Sequence, residues 1–285
     1  MDRLSLRYFI AIVDSGNFSR AAELCRVAQP TVSAAIARLE AEVGQPLFLR
    51  SNRRVEVTEA GARLLPYARR IEHEFEEARR AISEDAHTLH IRLGVATTIP
   101  VQTITRIAAA ALANPAIRLE LIERRPGELL SLFDRGRVDL VLGPLDGTAG
   151  RRTTELLREP YVLVMSERHR LASAASITCE DLAGEPMLAR RHCEVLHRVS
   201  QFFTARGIRP FFPVKSLHEE RVAAYVVAGL GVTVMPESLM TPGMVAVPLE
   251  AFDLVRTVGV VTDSGADSPV VTSGILDHIA AAFET

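Results

Sequence analysis

One stretch constrains this chain more than any other. The segment Asn17-Phe-Ser-Arg-Ala-Ala-Glu-Leu-Cys-Arg-Val-Ala-Gln-Pro-Thr-Val-Ser-Ala-Ala-Ile-Ala-Arg-Leu-Glu40 reads as two helices joined by a tight turn. Asn17 or Ser19 offers a side-chain oxygen to the orphan N–H groups of the first helix, whose Ala21, Ala22 and Leu24 are expected to face inward. The turn falls near Cys25 to Ala28. Gln29 then occupies an N-cap position and Pro30 the first helical position, where a missing N–H costs nothing. Val32, Ile36, Leu39 and Val43 repeat at helical spacing and mark the buried stripe. Gln29, Thr31 and Ser33 are left pointing outward, at the end of the helix that a helix-turn-helix protein pushes into a DNA major groove. The spacing alone equally suits a helical hairpin in any all-α domain, so the surrounding chain has to decide.

Upstream, Leu6, Phe9, Ile10 and Val13 fall at the spacing of a helix with one buried face, and Gly16 stops it. Downstream, Leu47-Phe-Leu-Arg and Arg54-Val-Glu-Val flank the polar turn Ser51-Asn52, which predicts a hairpin wing. Arg50, Arg53 and Arg54 gather at its tip. Beside a recognition helix, they sit where a wing would grip phosphates.

Thr58-Glu-Ala-Gly opens a long helix, with Thr58 as its cap. Leu64, Ala68, Ile71, Phe75, Ala78 and Ile82 alternate spacings of four and three, the seam of a coiled coil that needs a partner helix. The run is short, so packing on its own domain stays open. Pro66 should kink the helix near its start.

From Leu89 the pattern changes to alternating strand and helix: strands at 89–95, 117–123 and 139–143, with helices at 101–112 and 127–135 between them. The pattern recurs with extended segments at 161–165, 213–215 and 231–235 and helices at 195–205 and 221–227. This order predicts two small α/β lobes rather than one sheet. Pro144, Asp146-Gly147 and Gly150 mark an irregular connection expected between the lobes.

Composition narrows the function. A net charge of -2 means that any nucleic-acid contact must come from a local patch. Lys215 is the only lysine, so positive charge is almost all arginine, suited to bidentate phosphate and guanine contacts. Base composition of the genome would produce the same bias. The N-terminus lacks the plan of a signal peptide, and no run approaches the ~18 apolar residues of a membrane span, so a cytoplasmic protein without membrane contact is expected. Cys25, Cys179 and Cys193 are widely spaced with no CxxC, which supports neither a disulfide framework nor structural zinc. No metal and no cofactor are expected.

The ordered set of a first helix, Ala21-Ala22, Gln29-Pro30-Thr31-Val32-Ser33, Leu39-Glu40, Gly44, Leu47-Phe48, Arg50 and Thr58-Glu59-Ala60-Gly61, followed by a long helix, resembles the LysR-type transcriptional regulators. The resemblance covers nearly the whole chain. It implies a multidomain α and α/β protein: a winged helix-turn-helix at residues 1–58, a dimerising linker helix at 59–88 and a two-lobed effector domain at 89–285 that looks like the periplasmic-binding-protein fold. The first lobe would hold about 89–160 and 264–285, the second about 161–263.

Carried over by position, the resemblance assigns Gln29, Pro30, Thr31 and Ser33 to bases and phosphates, and Arg38, Arg50, Arg53 and Arg54 to the backbone. The chemistry agrees, because glutamine pairs with adenine in the major groove and arginines supply the salt-dependent part of affinity. Ala34, Ala35 and Ala37 depart from the family, which often carries polar or basic side chains there. Direct readout should therefore be thin, with more weight on DNA shape.

In the effector domain, Thr97-Thr98 follows the first strand and precedes a helix, so hydroxyls and free N–H groups should converge on a small anion, with capping of that helix a compatible role. Pro144, Ser216 and Leu217 line up with the family's cleft. Gly229-Leu-Gly-Val-Thr-Val-Met-Pro is not a dinucleotide fingerprint, because the strand-first Gly-x-Gly-x-x-Gly order is missing.

Arg190-Arg-His-Cys-Glu194 is the most reactive-looking piece of the second half, since arginines and a histidine could depress the pKa of Cys193. It loosely resembles the Gly-His-Cys segment of the family's peroxide-sensing branch, with Arg191 in place of glycine. That branch has a second cysteine downstream, where Phe202-Phe203 stands here, so a cleft-lining or buried thiol without a redox role competes with redox sensing.

The leading expectation is a promoter-binding transcription factor, a homodimer or homotetramer, whose small-molecule effector binds between the lobes and biases the DNA-reading heads. RNA polymerase is a further contact that the resemblance implies. Two readings compete: a solute-binding sensor whose N-terminal helices merely dimerise, and an enzyme with Cys193 as nucleophile and His192 or His197 as base.

Overall fold

The computed structural model describes residues 1–50, 55–81, 88–262 and 268–284, which belong to two compact units, an N-terminal and a C-terminal one. In the N-terminal unit, α1 (Arg3–Ser15) is capped by Asp2, whose carboxylate accepts from the Ser5 N–H at 2.8 Å. The Ser5 hydrogen bonds hold the Asp2 carboxyl below the usual carboxylate range. Gly16 ends the helix at φ 66°, a left-handed conformation in which glycine pays no Cβ penalty. Helix α2 (Phe18–Cys25) is capped by Asn17, which accepts from Ser19 and Arg20. Helix α3 (Gln29–Val43) follows a turn in which Arg26 takes φ 57°.

Four local expectations are corrected. Leu24 is 63% exposed and Val43 41% exposed, because each falls at the edge of its helix rather than over the core. Ala35 is buried beside Val32, Ile36 and Leu39, since i, i+3, i+4 and i+7 positions share one helical face. Ala28, not Gln29, is the N-cap of α3, which puts Gln29 and Pro30 one position further into the helix.

Strands β1 (Phe48–Arg50) and β2 (Val55–Val57) pair antiparallel with Phe48 opposite Val57 and Arg50 opposite Val55, the base of the expected wing. The turn Ser51-Asn52 with Arg53 and Arg54 lies outside the described residues, as does the side chain of Arg50. Glu40 fastens β1 to α3 by accepting from Leu47 N–H at 2.7 Å and Phe48 N–H at 3.2 Å. The Phe48 ring meets Phe9 and Phe18 at centroid distances of 5.3 and 5.7 Å, so wing base and helices share one core.

Helix α4 (Glu59–Ala81) runs as one element through Pro66, and the Thr58 hydroxyl accepts from Gly61 N–H at 3.0 Å while donating to Pro46 O. A side chain at Gly61 would place Cβ 2.5 Å from Leu47 O, so glycine is what lets α4 approach the wing. The seam divides. Ala68 is fully buried, with Leu64 and Ile71 against the domain's own core, whereas Phe75 and Ala78 are exposed and Ile82 lies outside the described residues. Arg69 to Asp14 at 2.7 Å and Arg3 to Glu72 at 2.9 Å tie α4 to α1.

In the C-terminal unit, β3 (Leu89–Ala96), α5 (Val101–Ala113), β4 (Ile117–Arg124), α6 (Pro126–Asp134) and β5 (Leu140–Pro144) form a parallel βαβ array with β3 between β4 and β5. The buried faces of Ile91, Leu93, Leu140 and Leu142 meet Ile107 and Leu129 from the helices. Strand β6 (Arg152–Ser166) is 15 residues long and serves both lobes. Its first part pairs with β11 (Val255–Thr262), which also pairs with β5; its second part pairs with β9 (Thr233–Pro236) and β10 (Met244–Val247). Strands β7 (Leu188–Arg190) and β8 (Val214–Ser216) pair in parallel, with α7 (Leu196–Ala205) and α8 (Glu219–Val227) completing the second lobe. Helices α9 (Pro269–Thr272) and α10 (Ile275–Ala281) return to the first-lobe core.

The two lobes are therefore halves joined through one strand rather than separate sheets. Pro144 to Gly150 is a turn within the first lobe; the chain crosses to the second lobe inside β6 near Glu159 and Pro160 and returns between β10 and β11. Residues 255–262 belong to the first lobe, not the second, because β11 completes the hydrogen bonding of β5 and contributes Val258, Val260 and Val261 to that core.

Candidate nucleic-acid interface and effector cleft

Gln29, Pro30 and Thr31 are exposed on the first turn of α3, Ser33 is half-buried, and Ala34, Ala37 and Arg38 are exposed further along. The Gln29 amide donates to Ser33 Oγ at 2.9 Å, which holds the glutamine along the helix rather than loose in solvent. No side chain caps α3, so the positive end of its dipole faces outward beside hydroxyl and amide groups, an arrangement that receives phosphate.

In the C-terminal unit the expected cleft residues partly converge. Thr97, at the end of β3, places its Oγ1 3.3 Å from His192 Nδ1, a contact from first lobe to second. Thr98 is fully buried; its carbonyl accepts from Arg256 Nη1 at 3.2 Å and its hydroxyl has no hydrogen-bond partner among the described residues. Neither threonine caps α5, whose N-cap is Pro100, so their hydroxyls are left for other partners. Pro144 is buried at the end of β5, opposite Val258. Ser216 ends β8, its carbonyl accepting from Arg191 N–H at 2.8 Å and its hydroxyl engaged with His218. Leu217 beside it is exposed.

The segment Arg190 to Glu194 joins these pieces. Arg190 is buried, donates Nε to Glu219 at 2.6 Å, and donates Nη1 to Val234 O at 3.1 Å and Cys193 Sγ at 3.5 Å. Burial pushes the Cys193 thiol above its ordinary pKa, and Arg190 opposes this only in part. This corrects the expected thiolate: desolvation of the charged form outweighs the nearby guanidinium. Cys25, Cys179 and Cys193 are all free thiols. His192 is held below the usual histidine range, first by burial and then by Arg125, so its ring stays neutral against Thr97.

Residues that the sequence reading passed over dominate the electrostatics. Arg256 of β11 has no side-chain exposure; it donates to Glu159 of β6 at 2.8 Å and Glu194 at 3.0 Å, with Ser238 Oγ at 3.3 Å. Burial alone would lower its pKa, but Glu194 and Glu159 outweigh that and hold it above the ordinary arginine value. Tyr161 is likewise kept neutral by burial and by Glu194. One signal for this cluster was available: a lone arginine in the apolar run Val255-Arg-Thr-Val-Gly-Val-Val is a charge that demands a partner. Among the described residues no group of His, Cys, Asp and Glu could hold a metal, and no helix is long and apolar enough to cross a membrane.

Comparison with known proteins agrees with this division. Residues 4–62 match the bacterial regulatory helix-turn-helix protein, lysR family, and residues 85–284 match the LysR substrate binding domain. The chain is 28% identical over 277 residues to the DNA-binding transcriptional dual regulator OxyR of Escherichia coli, covering 93% of this chain and 90% of that one. It is 33% identical over 264 residues to a probable hydrogen peroxide-inducible genes activator of Mycobacterium avium, covering 86% and 79%. Among solved structures, a full-length OxyR variant of Pseudomonas aeruginosa superposes with a TM-score of 0.65 at 25% identity, covering 98% of this chain and 94% of that one. ArgP of Mycobacterium tuberculosis shares the fold with a TM-score of 0.71 at 22% identity, over 99% and 97% of the two chains. The helix-turn-helix unit with its exposed first turn of α3 and the two-lobed unit each have their counterpart in these matches, and this chain belongs to the LysR family of DNA-binding transcriptional regulators with an effector-binding domain.

Proposed function

We propose that the chain reads promoter DNA through Gln29, Pro30, Thr31, Ser33 and Arg38, with Arg50, Arg53 and Arg54 of the wing on phosphates. Its effector is taken between the lobes, around Thr97, Thr98, Pro144, Cys193, Ser216 and Leu217. The contact between Thr97 and His192 carries the effector reading, because it brings hydroxyl and imidazole groups of both lobes to one place. A small molecule seated there has differential contacts with open and closed lobes, which is what population shift requires. The unpartnered Thr98 hydroxyl supports a polar ligand.

In this reading residues 1–58 bind DNA, 59–88 pair subunits and 89–285 bind effector; the protein works in the cytoplasm as a homodimer or dimer of dimers, contacts RNA polymerase and catalyses no reaction. Exposed Phe75 and Ala78 on α4 support subunit pairing. Replacing both Thr97 and Thr98 with valine should abolish the ligand-induced rise in melting temperature and the promoter response while DNA binding persists. An intact response in that variant would remove the cleft from consideration.

A second reading is thiol sensing, favoured by the relatives whose names denote peroxide-inducible activation and by the Cys193 contact with Arg190. Cys193 Sγ would attack a peroxide oxygen, breaking the O–O bond to leave a sulfenic acid and water. Phe202 packs edge-on against Phe203 and Phe252 at 5.3 and 5.0 Å, a structural role in place of a second thiol. Promoter output with and without peroxide in Cys193→Ser separates the two readings: only the sensing mechanism loses its response.

A further inference from the structure

A cavity of about 320 Å³ opens beneath α7, wholly within the second lobe and apart from the contact between Thr97 and His192. Its volume falls in the range of small-molecule pockets. Leu196, Val199 and Phe203 of α7 form one wall, and Ile208, Pro210 and Phe212 of the following loop form another. Two arginines line it, Arg190 and Arg209, and no aspartate or glutamate does. The charge of Arg190 is met by Glu219 outside the lining, yet its Nη2 has no acceptor among the described residues. Arg209 is exposed at the rim and has no ion pair among the described residues. The wall is therefore mostly apolar, with hydroxyls at Ser200, Thr204 and Thr233, and it carries positive charge with no carboxylate on it.

We infer that this cavity, which shares only Cys193 with the residues of the proposed effector cleft, is a second ligand site that takes an apolar monocarboxylate. The apolar body lies among Leu196, Val199 and Phe203, and the carboxylate stays at the mouth on Arg209. Placing the anion at the mouth follows from desolvation. A carboxylate drawn fully inside would lose its hydration beside a guanidinium already neutralised by Glu219, whereas at the rim it keeps water and gains a charge-assisted hydrogen bond. The Cys193 thiol, kept neutral at the inner wall, is a weakly polar surface that an aliphatic or aromatic body can contact.

Octanoate is a suitable probe for the full chain, with octanol as the uncharged comparison and isothermal titration as the measurement. Octanoate should bind saturably, and Arg209→Gln should weaken it about tenfold while leaving octanol unchanged, the loss expected of one charge-assisted hydrogen bond. Val199→Phe should fill the cavity and remove both. Phe212→Ala, at a partly exposed rim position where folding is tolerant, should weaken both several-fold. Valine at Thr97 and Thr98 should leave octanoate binding untouched, so failure of the cleft reading and failure of this one are distinguishable. No saturable octanoate binding, or affinity indifferent to both Arg209→Gln and Phe212→Ala, would overturn the inference.

Discussion

Arg256 of the first-lobe strand β11 donates Nη1 to Glu194 of the second lobe at 3.0 Å, while the same nitrogen reaches the Thr98 carbonyl at 3.2 Å. With Glu159 at the crossing point of β6, one fully buried guanidinium thus binds both lobes and the strand that joins them. Buried pairs of this kind are weak net stabilisers, yet removing one partner strands the other charge away from water. Arg256→Ala should cost roughly 3–5 kcal/mol in urea unfolding of the C-terminal unit. Glu194→Gln, which keeps one acceptor for the guanidinium, should cost less. A loss under 1 kcal/mol for Arg256→Ala would mean that the cluster does not hold the lobes.

At the head of α4, Gly61 approaches Leu47 O too closely for a side chain. Gly61→Ala should destabilise the N-terminal unit by about 1–3 kcal/mol, the range for overpacking, although alanine is the better helix former. Thermal unfolding decides between these opposing effects, and a stabilised variant would refute the close approach.

On DNA, Gln29 and Arg38 should fail differently. Gln29→Ala should cost about 1–3 kcal/mol on the operator and relax preference at one base pair, whereas Arg38→Ala should weaken all sequences alike and reduce the salt slope by about one. Fluorescence anisotropy across a salt series measures both. Identical salt slopes for wild type and Arg38→Ala would remove Arg38 from the phosphate contacts.

His192 sets a pH dependence. Its folded pKa lies below the ordinary 6.5, so between those two values the unfolded chain binds more protons than the folded one. Stability should be unaffected by this group above about pH 7, decline as pH falls through 6.5, and level off below the folded pKa. His192→Gln should remove that part of the decline. Chemical denaturation at several pH values provides the comparison, with equal pH slopes as the contrary result.

Much of the N-terminal unit was readable because its signals are local. As helix caps and stops, Asn17, Gly16 and Thr58 act on residues a few positions away, and each does in the structure what its chemistry announces. Helical spacing misplaces side chains there in both directions: Leu24 and Val43, expected inside, are exposed, and Ala35, expected on the readout face, belongs to the core. Of the three alanines at 34, 35 and 37, only Ala34 and Ala37 are exposed, so the proposed base-reading face has one fewer empty position.

The effector domain was legible as alternating strands and helices, but its lobe boundary was not. Turn residues at Asp146 and Gly147 suggested a connection between lobes, whereas the crossing runs through an unbroken strand whose one breaker residue, Pro160, marks the place without ending the strand. Periodicity, caps and the ordered motifs of residues 17–61 were enough to determine a winged helix-turn-helix, a long helix and an α/β domain, because those features depend on neighbours in sequence. Only the tertiary structure decided that Arg256, Glu159 and Glu194 meet, that Arg190 faces Glu219, and that Cys193 is a neutral thiol on a cavity wall. Each depends on partners 29 or more residues apart, or on burial, and a charge's behaviour is set by what surrounds it in space rather than in sequence.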